Sequence, residues 1–298
     1  MCGIVGLHLR DEPLYPRLGE LLSPMLVAMG ERGPDSAGIA LYDDELPVGT
    51  LRWSLRAAAG GTAWDEVADR LGSVLGTMPA VRRVDTDAVL TIGADAEHVR
   101  KALGDWFPEL GIVSYGRALE VYKDVGHPVD ILERYGIAER AGYQALGHTR
   151  MATESAVSTE HSHPFAAGPD LCLVHNGSFS NYATVRRRLT DAGITFDTDN
   201  DSEVAARYLA YEISNGADLG EALESLMTAL DGFYTLLVAT ETEFAVVRDR
   251  SACKPAVIAE TDEYVAMASE YHALATLPAI ETADVFEPMP QEIHTWSR

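Results

Sequence analysis

Met1-Cys2-Gly3-Ile4-Val5-Gly6-Leu7-His8-Leu9 opens the chain and decides how the rest of it is read. Residues 3–9 form a short apolar run with β-branched positions, which predicts a buried strand rather than a helix. Cys2 stands directly before that strand. The small side chain after Met1 favours removal of the initiator residue, and Cys2 would then carry its own α-amine. Such an amine has a pKa of about 8, so part of it is unprotonated at neutral pH. It can take the thiol proton directly or through water, which joins nucleophile and general base in one residue. Gly3 leaves space beside the sulfur for a substrate. Position by itself does not separate this reading from a buried or frayed terminal cysteine.

Outward from that strand, residues 18–30 carry a helical apolar stripe that ends at glycine, near Gly30 or Gly33. The turn-rich Arg32-Gly33-Pro34-Asp35 leads into a strand over 37–42. Strands are expected at 51–57, 80–85, 88–92 and 111–122, with helices at 63–76 and 95–107. The order β-α-β-β-α-β is a split-βαβ unit, and residues 48–125 read as an insertion of that type within one domain spanning 1–298. Further on, 143–151 and 170–175 read as core strands, and 181–192, 201–215 and 218–230 as helices. Four short strands follow near 233–239, 243–248, 255–260 and 264–268, then a helix at 270–276. Strands from both ends flanked by helices predict a layered α+β fold.

The chain has 298 residues, 47% apolar and 23% charged, enough to bury a core without metal or disulfide staples. A net charge of −23 argues against nucleic acid and anionic membrane as partners, since both need clustered Lys and Arg. Cys2, Cys172 and Cys253 are too few and too odd in number for a disulfide framework, and fit a reducing compartment. No secretory apolar region precedes Cys2, and no window approaches the roughly 20 apolar residues of a membrane span. A cytoplasmic protein is expected.

Three further segments carry side chains suited to chemistry. His148-Thr149-Arg150 ends a strand, where an arginine can grip a carboxylate with two parallel hydrogen bonds; a surface arginine is the alternative. His175-Asn176-Gly177 follows the apolar Leu171–Val174. The Asn176 amide and the Gly177 N–H could both point at one developing oxyanion, although Asn-Gly is also a common turn. Asp199-Asn200-Asp201-Ser202-Glu203 opens a helix, where acidic residues ordinarily complement the helix dipole; a functional reading reserves Asp201 for a substrate ammonium. His148, His161, His163 and His175 follow no metal-ligand spacing, so no metal is expected. Cys172 and Cys253 read as structural.

Taken together and in order, these segments resemble the class II glutamine amidotransferases, which are N-terminal-nucleophile hydrolases. The resemblance rests on Met1-Cys2-Gly3-Ile4-Val5-Gly6, Arg32-Gly33-Pro34-Asp35-Ser36-Ala37-Gly38, His148-Thr149-Arg150, His163-Pro164-Phe165, His175-Asn176-Gly177 and Asn200-Asp201-Ser202-Glu203. It covers most of the chain outside 48–125. It implies a four-layer αββα sandwich and glutamine as substrate. It also implies Cys2 as nucleophile, Asn176 and Gly177 as oxyanion hole, Arg150 for the substrate α-carboxylate and Asp201 for its α-ammonium. Thr153 is expected to line the site, and Arg32 and Asp35 to order the glutamine loop. Met151 departs from the aromatic residue that many members place after the arginine.

Within the family, HTRMATESAVSTEHSHPF, DLCLVHNGSFSNY and DNDSEVAARYL are most similar to stand-alone subunits related to glutamate synthase, above all the amidotransferase subunit of N-methylglutamate synthase. The chain runs only a little past the amidase region, to near Trp296, so ammonia would pass to separate glutamate-synthase-like partner subunits in a hetero-oligomer. FMN and an iron–sulfur cluster are expected on a partner and no cofactor on this chain, which has too few cysteines for a cluster. Two other readings remain open from sequence: a non-catalytic, tunnel-shaping member of such a complex, and a stand-alone amidase.

Overall fold

The computed structural model describes residues 2–58, 60–151 and 157–298. Its elements run β1 (Gly3–Leu9), α1 (Leu18–Ala28), β2 (Ser36–Tyr42), β3 (Leu51–Arg56), α2 (Trp64–Leu75), β4 (Ala80–Val84), β5 (Asp87–Ile92), α3 (Ala96–Trp106), β6 (Gly111–Gly116), β7 (Leu119–Val125) and α4 (Pro128–Arg134). Then follow β8 (Gln144–Arg150), β9 (Phe165–Ala166), β10 (Cys172–Phe179), α5 (Tyr182–Asp191), α6 (Asp201–Ser214), α7 (Leu219–Ala229), β11 (Gly232–Ala239), β12 (Glu243–Arg248), β13 (Val257–Glu260), β14 (Tyr264–Ala268), α8 (Tyr271–Leu274), β15 (Asp284–Phe286) and β16 (Ile293–Ser297).

Two antiparallel sheets stack face to face. The first has the order β15-β13-β14-β1-β8-β2-β7, and the second β16-β12-β11-β10-β9. The period-2 alternation of strand side chains divides the core into three layers of contact. On β1, Val5, Leu7 and Leu9 point to a helical layer holding Leu22, Met25 and Leu26 of α1. Ile4 points the other way, into the seam between the sheets, where it meets the environment of Leu146, Val174, Leu237 and Phe244. On the far side, Leu173, Leu236 and Val238 face α5, α6 and α7 through Val185, Leu189, Val204 and Leu223. Helix, sheet, sheet, helix is the four-layer αββα sandwich, with the strand at the start of the chain in the middle of its sheet.

Residues 51–116 build a third antiparallel sheet, order β4-β5-β3-β6, with α2 and α3 on one face around Trp53, Trp64, Leu71, Leu90 and Leu103. The strand expected over 111–122 is two strands. The chain bends at Arg117 and Ala118, and β7 leaves the third sheet to pair with β2 at the edge of the first. That bend is held by Asp170, whose carboxylate accepts from the backbone N–H groups of Arg117 (2.7 Å), Ala118 (2.9 Å) and Leu119 (2.9 Å). The third sheet is further tied to β7 by Arg82 and Arg52 around buried Glu120, and by Arg56, which donates to the Lys123 carbonyl at 2.8 Å. Burial pushes the Glu120 carboxyl up, but Arg140 and Arg82 outweigh it and hold it at about 2.

Several expected boundaries shift. The strand expected at 170–175 continues through Asn176 and Gly177 to Phe179, paired along its length with β11, so Asn-Gly is not a turn here. The helix α4 and the edge strands β9, β15 and β16 are not announced by the sequence pattern. Each is short, and α4 begins on a proline with a His127 cap rather than on an apolar repeat.

Replacing Asp170 by Ala is expected to lower unfolding free energy by about 3–5 kcal/mol, since three N–H groups, two of them buried, lose a charged acceptor. Urea denaturation of the full chain measures it, and Asp170→Asn, which keeps one oxygen acceptor, should fall between wild type and Asp170→Ala. A loss under about 1 kcal/mol would show that the bend does not depend on this carboxylate.

Candidate active site

Cys2 precedes β1 at the point where the first sheet faces β10 of the second. Its carbonyl oxygen takes two hydrogen bonds, from Arg32 Nε at 3.1 Å and from Asn176 Nδ2 at 3.2 Å. Arg32 lies in the loop after α1, and its guanidinium also pairs with Glu270, just beyond β14. Ser269 Oγ accepts the Ile4 N–H at 3.0 Å. The start of the strand is thus fixed from three separate regions of the chain. Gly3 allows this packing: a Cβ there would lie 2.7 Å from Met29 Cβ and 2.9 Å from Thr149 Oγ1.

Thr149 is the register partner of Gly3 on β8, which places Arg150 one residue further, at the strand's end and opposite Ser36 of β2. The Arg150 side chain is buried, and its carbonyl accepts from the Asp35 N–H at 3.1 Å. Arg32, Asp35 and Arg150 therefore share one loop-and-strand-end cluster with Cys2. Thr153 lies outside the described residues.

On β10, Asn176 is buried and uses one of its two amide N–H groups on the Cys2 carbonyl. Gly177 follows with φ +142, and a Cβ there would come within 2.0 Å of the Phe233 carbonyl oxygen. Only glycine lets β10 run this close to β11 while keeping Asn176 turned toward Cys2. Asp201 opens α6 behind this strand. Its carboxylate accepts the Phe179 N–H at 3.0 Å, and Asn200 caps the helix through the Ser202 N–H at 2.8 Å.

Beneath these residues lies a buried group of three histidines, His148, His163 and His175. The His148 and His163 rings stack at 4.1 Å between centroids. His163 Nε2 and His175 Nδ1 both reach Ser202 Oγ, at 2.9 and 2.8 Å, and His148 Nε2 reaches the His175 carbonyl at 3.2 Å. Among the described residues no group of three or more His, Cys, Asp or Glu is arranged to hold a metal ion. Burial holds the His148 imidazole down to about 3, and lowers those of His163 and His175 as well. These rings are neutral spacers between β8, β10 and α6. Cys172 is buried inside β10, where burial pushes its thiol up, and Cys253 is exposed.

Ser202, Ser269 and Glu270 carry no signal of their own in the sequence. Ser202 sits within an expected motif but reads as an ordinary first-turn residue. Ser269 and Glu270 are more than 230 residues from their partners, and only the β1–β14 register reveals them.

The family described as a glutamine amidotransferase domain matches residues 148–276. The chain is 47% identical over 297 residues to the glutamine amidotransferase-like protein GlxB of Rhizobium meliloti, covering 99% of this chain and 98% of that one. It is 31% identical over 310 residues to a putative glutamine amidotransferase of Methanothermobacter thermautotrophicus, with 99% of each chain covered. Among solved structures, glutamine phosphoribosylpyrophosphate amidotransferase from B. subtilis superposes with a TM-score of 0.62 at 20% identity, covering all of this chain and 49% of that one. No helix among the described residues is long and apolar enough to cross a membrane.

The three lowered histidines set a pH dependence. Each binds a proton in the unfolded chain below pH 6.5 but not in the folded one, so unfolding takes up protons and stability falls as pH drops through that value. The expected slope is up to about 1.4 kcal/mol per pH unit for each histidine that stays neutral. Denaturation midpoints between pH 7 and 5 test this; a profile with no loss over that range would mean that the rings are protonated in the folded protein.

Proposed function

Because this chain belongs to the class II glutamine amidotransferases, a family of N-terminal-nucleophile hydrolases, we propose that it hydrolyses the side-chain amide of glutamine through a thioester on Cys2. The observation that carries this reading is the bond from Asn176 Nδ2 to the Cys2 carbonyl, which sets an amide donor beside the residue that bears the thiol. With Met1 removed, the α-amine of Cys2 takes the thiol proton. The sulfur attacks the glutamine amide carbon, and the carbonyl electron pair moves onto oxygen. The second N–H of Asn176 and the backbone N–H of Gly177 take up that charge. Collapse of the intermediate breaks the C–N bond, and the leaving nitrogen receives the proton as ammonia. Water then cleaves the thioester to glutamate and restores the thiol.

Arg150, at the end of β8, holds the substrate α-carboxylate, and Asp201 its α-ammonium, with Thr153 as a further contact. Arg32 fixes the Cys2 backbone through its Nε bond and its pair with Glu270. The ammonia passes to glutamate-synthase-like partner subunits of an N-methylglutamate synthase (methylamine–glutamate N-methyltransferase) or related complex, with FMN and an iron–sulfur cluster on a partner. The support for this assembly is the likeness of the His148–Phe165, Asp170–Tyr182 and Asp199–Leu209 segments to such subunits, and a cysteine content too low for a cluster on this chain.

Cys2→Ala is expected to abolish glutamate release from glutamine. Asn176→Ala should lower kcat by about 100- to 1000-fold, the cost of one oxyanion donor, while Asp201→Asn should act chiefly on KM for glutamine. Equal glutamate release by wild type and Cys2→Ala would leave this chain a non-catalytic member of its complex. For the assembly, tagged chain purified from its host should bring down a protein carrying flavin absorbance and acid-labile sulfide. Recovery of this chain by itself would remove that part of the proposal.

A further inference from the structure

A cavity of about 340 Å3 lies where the third sheet meets the sandwich, away from Cys2. Its walls come from β3 and α3 (Arg56, Arg100), from β6 (Ser114, Tyr115), from β7 (Lys123) and from the first turns of α6 (Glu203, Arg207). The volume suits a small metabolite and is at the low end for ligand sites, which start near roughly 300 Å3.

The charges lining it are unevenly used. Glu203 accepts from the backbone N–H groups of Asp197 (2.8 Å) and Thr198 (2.7 Å) and pairs with Arg207, which also pairs with Asp197. The Glu160 carboxylate is held by its own backbone N–H and by Ser158. The acidic groups are therefore committed to local partners. Of the cations, Arg207 is paired as well, while Lys123, Arg100 and Arg56 are held more loosely. Lys123 is buried, and its ammonium donates only to carbonyl oxygens, of Ser162 at 2.7 Å and Glu160 at 3.5 Å. No carboxylate among the described residues lies within ion-pair distance of it. Arg100 likewise has no ion pair among the described residues, and its guanidinium lies over the Tyr115 ring, 4.9 Å from the centroid. Arg56 donates to the Lys123 carbonyl at 2.8 Å, and its nearest carboxylate is Asp87, at 3.9 Å. Burial, with Arg56 nearby, pushes the Lys123 ammonium down to about 7. Glu160 and Glu203, which line the same cavity, favour the charged form from beyond ion-pair distance but do not offset the burial, which an anion bound in the cavity would.

We propose that this cavity binds a small dianionic metabolite, carrying carboxylate or phosphate groups, whose charged ends are taken by Arg100, Arg56 and Lys123. Guanidinium groups match the geometry of either anion. The site touches the proposed glutamine pocket through one helix turn. Asp201, Ser202 and Glu203 are consecutive: the first bonds the end of β10, the second bridges His163 and His175, and the third lines the cavity. Lys123 also holds the Ser162 carbonyl, next to His163. Occupancy therefore bears on the position of Asp201, and through it on the affinity for glutamine. This coupling rests on the glutaminase reading above; the binding does not.

Isothermal titration of the full chain with succinate, and separately with inorganic phosphate, tests the site. Saturable one-to-one binding of at least one probe is expected, and Arg100→Ala should weaken it about tenfold or more. Lys123→Met should do the same; since Lys123 is buried and Arg100 only half-buried, Arg100→Ala is the variant that keeps the fold, checked by its melting temperature. Whichever probe binds identifies the anion. Absence of binding by both probes up to about 10 mM, or binding unchanged in Arg100→Ala, overturns the proposal. With the bound probe saturating, KM for glutamine should shift while kcat changes less; an unchanged KM overturns the coupling. If wild type releases no glutamate at all, the glutaminase reading fails, and the titration still decides the site.

Discussion

The carbonyl oxygen of Cys2, held by Arg32 from one side and Asn176 from the other, is the contact on which the arrangement of this site depends. It is a small interaction, two hydrogen bonds of ordinary length, yet its partners belong to different layers. Arg32 follows the helix packed on the outside of the first sheet, and Asn176 lies in the second sheet. A backbone atom at the start of a chain would otherwise fray. Here its position is set by the spacing of the two sheets, which is set in turn by Ile4, Leu146, Val174 and Leu237 in the seam. Core packing thus fixes where the thiol-bearing residue sits relative to the Asn-Gly pair, and slippage of β1 by one residue would exchange its helix-facing and seam-facing side chains.

How much of this is legible in the sequence depends on whether the signal is local. The buried strand at 3–9, the apolar stripe of α1 and the capped start of α6 are each written in a few consecutive residues, and they stand where the pattern puts them. The layered fold follows from strands at both ends with helices between. The Asn176-Gly177 pair shows the opposite case. Locally it has the composition of a turn, but pairing with β11 imposes strand geometry, and Gly177 is needed for close approach to Phe233 rather than for a reversal. Long-range partners such as Ser269 and Glu270 leave no local trace. Nor does the break at Arg117, because the residue that makes it, Asp170, is more than fifty positions away.

The four histidines illustrate how residue type alone misleads. A cluster of imidazoles suggests ligands, but three of them are buried together, two stacked and two bridged by a serine hydroxyl. A neutral imidazole needs no counter-charge, and each of these rings uses one nitrogen, His148 on the His175 carbonyl and His163 and His175 on Ser202 Oγ. His161, by contrast, lies outward and pairs with Asp199 at 2.7 Å. The same residue type does two structural jobs, separated by burial.

The first turn of α6 explains why a site and a cavity can share one element without sharing residues. Successive residues on a helix point about 100° apart, so three in a row face three directions. Asn200 caps the turn, and from there Asp201 turns to β10, Ser202 to the histidine rings and Glu203 to the junction with the third sheet. Because the turn is rigid, none of the three can move far without the others. A group that tightened the Glu203 side would be felt at Asp201 across about 1.5 Å of helix rise per residue. In the proposed coupling, this turn carries the link from the cavity to Asp201, alongside the Lys123 contact with the Ser162 carbonyl beside His163.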